Sequence, residues 1–151
     1  MRTIISDSSC LISLHNSGDL DLLQKVFDEV TITPLIAEEF QLPLPPWITV
    51  MENSGTVPTS FQGIEIDAGE ASAISLALEL GNAVLIVDDL KARQIAERLS
   101  IEFMGTLGVA VEAKRLGILP SIRPIIQRLH SVGLWFSEGV EARALAQADE
   151  V

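Results

Sequence analysis

Short apolar runs and amphipathic stretches alternate along the chain, and their spacing predicts a regular succession of strands and helices. "RTIIS" (2–6) reads as a short buried strand. Leu11, Ile12 and Leu14 then follow in a helix that Ser8 or Ser9 can cap and Gly18 stops. "DLDLLQKVF" (19–27) predicts a second short helix with Asp19 as its N-cap. "EVTIT" (29–33) has the β-branched alternation of a strand, and Pro34 suits the first turn of the helix "PLIAEEFQ". Proline density excludes regular structure from "LPLPPW" (42–47). "WITVM" reads as a further strand and "NSGTVPTSFQG" (53–63) as a loop.

The second half is punctuated in the same way. "DAGEASAISLALELG" (67–81) is the clearest helix, with Ala71, Ile74, Ala77 and Leu78 at helical spacing and Gly81 at its end. "AVLIV" (83–87) is apolar throughout, as a central parallel strand requires. "LKARQIAERL" (90–99) is helical, "IEFM" (101–104) extended and "TLGVAVEAKRLG" (106–117) helical again. "SIRPIIQRLHSVG" (121–133) forms a helix only with Pro124 in its first turn, and an alanine-rich helical tail follows Ser137. Strand followed by helix, repeatedly, means an α/β fold with a central parallel sheet covered on both faces. In such sheets the functional crevice lies beyond the carboxyl ends of the strands.

Composition adds little to the fold and more to the chemistry. With 151 residues, 48% of them hydrophobic, and no linker or repeat, the chain reads as one domain, 1–151, with a C-terminal helical tail. The single cysteine, Cys10, excludes an internal disulfide. No apolar run reaches the roughly 20 residues of a membrane span, and none resembles a secretory leader. A soluble, cytoplasmic protein is expected. The net charge of −11 works against nucleic-acid binding at long range. Residues 91–128, however, hold seven of the ten basic residues and three acids, so a locally basic face is conceivable.

The acids carry the candidate chemistry. Asp7 follows the first strand, and Asp88-Asp89 follow the most hydrophobic one. If those strands are neighbours, their carboxylates converge at one edge of the sheet. Glu70 lies in the first turn of the helix opened by Asp67, and Glu39 in the helix after the second strand. Carboxylates sharing a crevice raise each other's pKa unless a cation joins them, and an all-oxygen set suits Mg²⁺ or Mn²⁺. Such a site supports attack of a metal-activated water on a phosphodiester. Each acid also has a plainer role: "DAGE" is a capping box, Asp88-Asp89 can cap the next helix, and Glu38-Glu39 can face solvent. Asp7 is hardest to explain as a cap, because Ser8 and Ser9 already provide one. His15 and His130 lack zinc spacing, and there is neither a nucleophile elbow nor a Walker loop.

In order, "IISDSSCLISL", "TPLIAEEF", "DAGEASAISLALELG", "VLIVDDLKARQIAERL" and "FMGTLGVAVEAKRLGIL" resemble a PIN-domain protein. More narrowly, they resemble the PIN-like branch of predicted nucleic-acid-binding proteins related to VapC toxins. The resemblance implies a three-layer α/β/α sandwich and a Mg²⁺- or Mn²⁺-dependent ribonuclease, the toxin half of a toxin–antitoxin pair. It also implies neutralisation by a small antitoxin protein and a homodimer. Carried over by position, the catalytic acids are Asp7, Glu39, Glu70 and Asp89, with Asp7, Glu70, Asp88 and Asp89 as metal ligands. Asp89 fits the fourth position best and Asp88 stands one residue off. Thr106 is a hydrogen-bonding helper or a cap, and Lys91 and Arg93 are possible contacts to substrate phosphates. Glu70 stands where many toxin-type relatives have aspartate. The alternative is a catalytically inactive PIN-like module that binds RNA or protein. "VLIVDD" also resembles the opening of a phosphorelay receiver, but too little chain follows it to complete that fold.

Overall fold

The computed structural model describes residues 2–54, 58, 60–61 and 63–151. Its strands are β1 (Thr3–Ser6), β2 (Val30–Ile32), β3 (Ile48–Val50), β4 (Ser60–Phe61), β5 (Ile64–Glu65), β6 (Ala83–Ile86) and β7 (Glu102–Met104). Its helices are α1 (Ser8–Ser17), α2 (Leu22–Phe27), α3 (Pro34–Phe40), α4 (Ala68–Leu80), α5 (Leu90–Arg98), α6 (Thr106–Arg115), α7 (Arg123–Ser131) and α8 (Glu138–Gln147). Five strands form one parallel sheet in the order β3-β2-β1-β6-β7. Ile5 of β1 pairs with Thr31 on one side and Leu85 on the other, so the two strands carrying terminal acids are direct neighbours.

The order explains where a site forms. From β1 the chain crosses to β2 in one direction, and from β6 it crosses to β7 in the other. Right-handed crossovers in opposite directions place α1–α2 and α5 on opposite faces of the sheet. The α2, α6 and α8 helices pack together with α1 and α7 nearby, α4 packs with α5, and α3 touches both α1 and α4. The result is the three-layer α/β/α sandwich. Ile5, Ile32, Leu85 and Ile86 of the sheet are closed off from solvent with Leu11, Leu14, Ile74 and Ile95 of the helices. The reversal of direction falls between β1 and β6, where a crevice opens at the carboxyl edge.

Four details differ from the sequence reading. The N-cap of α1 is Asp7 itself, not Ser8 or Ser9: the strand runs straight into the helix, leaving only one residue for the cap. The second helix begins at Leu22, and Asp19 instead receives the Arg128 guanidinium through Nε at 3.0 Å and Nη2 at 2.8 Å. Leu78 is exposed rather than part of the buried face of α4. The end of the expected loop at 53–63 carries an antiparallel ribbon, β4 with β5; residues 55–57, 59 and 62 lie outside the described residues.

The last helix is fastened to the body of the protein by one carboxylate. Glu150 accepts hydrogen bonds from the Ser121 hydroxyl, the Ile122 N–H at 2.8 Å and Lys114 Nζ at 3.1 Å, and its own carbonyl accepts from Arg123 Nη2 at 2.7 Å. Nearby, the His130 ring stacks on Trp135 at 4.1 Å and pairs with Glu141 of α8. The Ser121 hydroxyl, the Ile122 N–H and then Lys114 hold the Glu150 carboxyl down at about 2, against an ordinary 4.5. A depressed carboxyl stabilises the fold above its unfolded-state pKa, and the contribution disappears as pH falls from about 4.5 towards 2. Glu150→Gln is therefore expected to lower the thermal midpoint by a few degrees at pH 7 and to converge on the wild type near pH 2. A circular dichroism pH series reads this directly, and equal midpoints at pH 7 would refute the clasp.

Candidate active site

Four of the acids at the crevice, Asp7, Asp67, Asp88 and Asp89, are the caps of helices that start there, and Glu70 follows in the first turn of one of them. A helix starts with N–H groups that lack intrahelical partners; at α3 the Thr33 hydroxyl supplies the acceptor, and at α1, α4, α5 and α6 an aspartate does. Asp7 accepts from Cys10 N at 2.9 Å at the start of α1, and Asp67 accepts from Glu70 N at 2.7 Å at the start of α4. Asp89 accepts from Ala92 N at 3.0 Å at the start of α5. Asp88 reaches across from β6 to cap α6, accepting from Thr106 N at 2.9 Å and from the Thr106 hydroxyl at 2.6 Å. Capping and convergence are thus one fact, because the parallel sheet gathers the helix starts at one edge.

The acids act on one another through their charges. Asp7 is 2% exposed, and burial pushes its carboxyl from 3.8 up to about 7. The Cys10 N–H works against that rise, while the charges of Asp88, Asp67 and Asp89 add to it. Glu70 is half-buried and is pushed from 4.5 up to about 8 by burial first, then by Asp67, Asp89 and Asp7. The Asp88 charge raises Asp7, and the Asp89 charge raises both Asp7 and Glu70. Asp67, read from sequence only as a cap, belongs to it as well. Cys10, closed off from solvent in the first turn of α1, has its thiol pushed up by burial and by the Asp7 charge.

Two glycines set the clearances. A methyl group at Gly69, in the first turn of α4, would overlap the Glu39 carboxylate, so Glu39 lies against the turn that carries Glu70. A methyl group at Gly105 would overlap Arg93 Nη2 and stand 2.7 Å from Asp88 Oδ1; this gap lets the Arg93 head and Asp88 come close. Arg93 is held in place, with Nε donating to the Val87 carbonyl at 2.9 Å and the guanidinium 5.4 Å from the centre of the Phe103 ring. Lys91 is exposed at the second position of α5. Thr106 is the first residue of α6, after Gly105, and its hydroxyl holds Asp88. Thr33 and Ser72, both fully buried, join the starts of α3 and α4 through a 2.6 Å hydroxyl pair. Neither was visible as a site residue in the sequence, since a buried hydroxyl pair has no spacing signature.

The donor set suits a hard cation. Every group is a carboxylate oxygen, and the mutual repulsion that raises Asp7 and Glu70 is what a divalent ion relieves. The side chains nonetheless remain on their caps, and among the described residues no three of His, Cys, Asp or Glu come together closely enough to ligate one ion.

A PIN-domain family model matches residues 3–150 of the chain. Among the curated proteins none matches it.

The raised Asp7 carboxyl has a measurable consequence for the metal-free protein. A carboxyl that titrates higher in the folded state binds its proton more tightly there, so stability falls as pH rises from about 4 to about 7. Asparagine caps as well as aspartate but carries no charge. Asp7→Asn in chelator is expected to match the wild type near pH 4 and to exceed it at pH 8, by on the order of 4 kcal/mol at most. Urea unfolding across that range tests this, and parallel profiles for the two proteins would refute the buried charge.

Proposed function

The chain belongs to the PIN-domain family, a family of nuclease fold, and on that premise we propose that it is a Mg²⁺- or Mn²⁺-dependent endoribonuclease. The observation that carries this reading is the convergence of Asp7, Asp67, Glu70, Asp88 and Asp89, from three separate connections, on one edge of the sheet. Asp7, Glu70, Asp88 and Asp89 are the residues that would hold the ion. When bound, a divalent cation supplies charge neutralisation at the scissile phosphate and a water of lowered pKa.

The chain's own residues do the rest. Glu39, against the Glu70 turn, orients the attacking water and accepts its proton. Thr106 fixes the rotamer of Asp88. Burial around Asp7 excludes bulk water from the deep side of the crevice, which strengthens every charge interaction inside it. Lys91 and Arg93 are placed at the start of α5 to meet phosphates of the strand being cut. The motif resemblance to VapC-related proteins supports a finer assignment: a cytoplasmic toxin held in check by a small antitoxin protein and working as a homodimer.

One observation favours a second reading. Asp7, Asp67, Asp88 and Asp89 stay on their caps, and among the described residues no three acids close into a ligand set. That fits a module that binds RNA or protein without cutting.

The test is cleavage of a mixed pool of labelled single-stranded and structured RNAs with Mg²⁺, with Mn²⁺ and with chelator. Metal-dependent cleavage is expected, falling by roughly 100-fold or more in Asp7→Asn. Should no RNA be cut while Mg²⁺ raises the thermal midpoint of the wild type but not of Asp7→Asn, the metal site stands and the pool lacks the substrate. Absence of both effects would establish the non-catalytic reading.

A further inference from the structure

The chain is strongly acidic, so the few cations free to meet an anion are informative. Most of its basic side chains are spent on carboxylates: Arg2 on Glu102, Lys25 on Asp21, Lys114 and Arg123 on Glu150, Arg115 on Glu112 and Arg128 on Asp19. The locally basic stretch 91–128 is therefore largely neutralised, and α6 and α7 do not present the face its composition suggested. Arg143 of α8 makes no hydrogen bond or ion pair with any described residue, and Arg93 bonds only to a carbonyl and a ring. These two guanidiniums, far apart in sequence, line the same cleft.

That cleft, of about 230 Å³, lies between β7, the start of α6 and α8, and opens beside Asp88. Gly105 and Gly108 form part of its lining, with the Arg93 head and the Met104 side chain packed against them. Phe136 lines it as well; it has no aromatic or cationic partner among the described residues, whereas Phe103 is covered by Arg93.

Resting on the nuclease reading above, we propose that this cleft is a nucleotide subsite. It holds the unit of a single-stranded nucleic acid next to the phosphodiester presented to the acids. Arg143 takes the phosphate of that unit through its planar fork, which matches phosphate geometry. Phe136 stacks its base, a sequence-tolerant interaction open to any nucleobase. Arg93, fixed by the Val87 carbonyl and by Phe103, stands between the subsite and Asp88, where its positive charge meets the next phosphate of the strand. The α8 helix is thereby part of the substrate path, and neither Arg143 nor Phe136 lies in the motifs that mark the acids.

The test uses fluorescein-labelled single-stranded ribo- and deoxyribo-oligonucleotides of one sequence. Binding is followed by anisotropy in chelator over a salt series, so that no cleavage intervenes. Arg143→Ala is expected to weaken binding about ten-fold and to reduce the salt slope by ~0.7, the value for one phosphate contact on a single strand. Phe136→Leu is expected to weaken binding by a similar factor with the slope unchanged, because stacking releases no counterions. In metal-dependent cleavage the Arg143→Ala loss falls on KM more than on kcat. Equal losses on both oligonucleotides indicate recognition of phosphate and base alone, and a loss on the ribo form alone adds the 2′-hydroxyl; either supports the subsite. Both variants binding as the wild type would overturn the subsite while leaving the nuclease reading to its own cleavage assay. Arg143-dependent binding by a wild type that neither cuts RNA nor gains thermal stability from Mg²⁺ supports the subsite and tells against the nuclease. Failure of the wild type to bind either oligonucleotide overturns the subsite.

Discussion

A carboxylate that accepts the first free N–H of a helix is the interaction on which this structure depends. In a parallel sheet every helix that packs back onto the strands begins at the same edge, so its cap lies at that edge too. Here Asp7, Asp67 and Asp89 cap the helices they precede, while Asp88 caps one from across the sheet. The partial positive charge at each helix start offsets part of the repulsion among these acids. Burial outweighs that help at Asp7 and Glu70, whose carboxyls stay raised. The local requirement of each helix and the collective requirement of the site are met by the same atoms.

The overlap explains what the sequence revealed and what it hid. Alternation of apolar runs with amphipathic stretches located the five strands of the main sheet and the helices around them, because buried parallel strands are uniformly apolar. The acids were legible for the same reason: Asp7 and Asp88-Asp89 interrupt such runs where a buried charge is otherwise costly. Their capping roles were harder to read. Ser8 and Ser9 looked like better caps than Asp7, but only one residue separates β1 from α1, and the cap falls to the side chain that stands there. The β4–β5 ribbon was missed because two-residue strands between turn-forming residues show no period. Gly69, Gly105 and the Thr33–Ser72 pair act through close approach between segments distant in sequence, which no local pattern encodes.

Charge counting along the chain was the least reliable guide. A window with more Arg and Lys than Asp and Glu suggested a basic face, yet partners come from elsewhere: Asp19 takes Arg128, and Glu150 takes both Lys114 and Arg123. Net charge by segment ignores folding, and folding decides which charges remain for a ligand. In this molecule the surviving guanidiniums concentrate on one side of the acid cluster, between β7 and α8. An acidic protein can in this way address a polyanion through a narrow approach while its remaining surface repels it.

The burial of Cys10 has a practical consequence of a different kind. It is the only cysteine in the chain, it is closed off from solvent, and its amide proton is the one that Asp7 holds. With the thiol kept protonated and shielded, a reagent such as a disulfide dye reaches it only when the first turn of α1 lifts away from the sheet. The rate of labelling therefore clocks the opening of the carboxylate edge itself, without any engineered probe. Slower labelling on adding an ion or an oligonucleotide would report, at that one position, that the ligand has closed that edge.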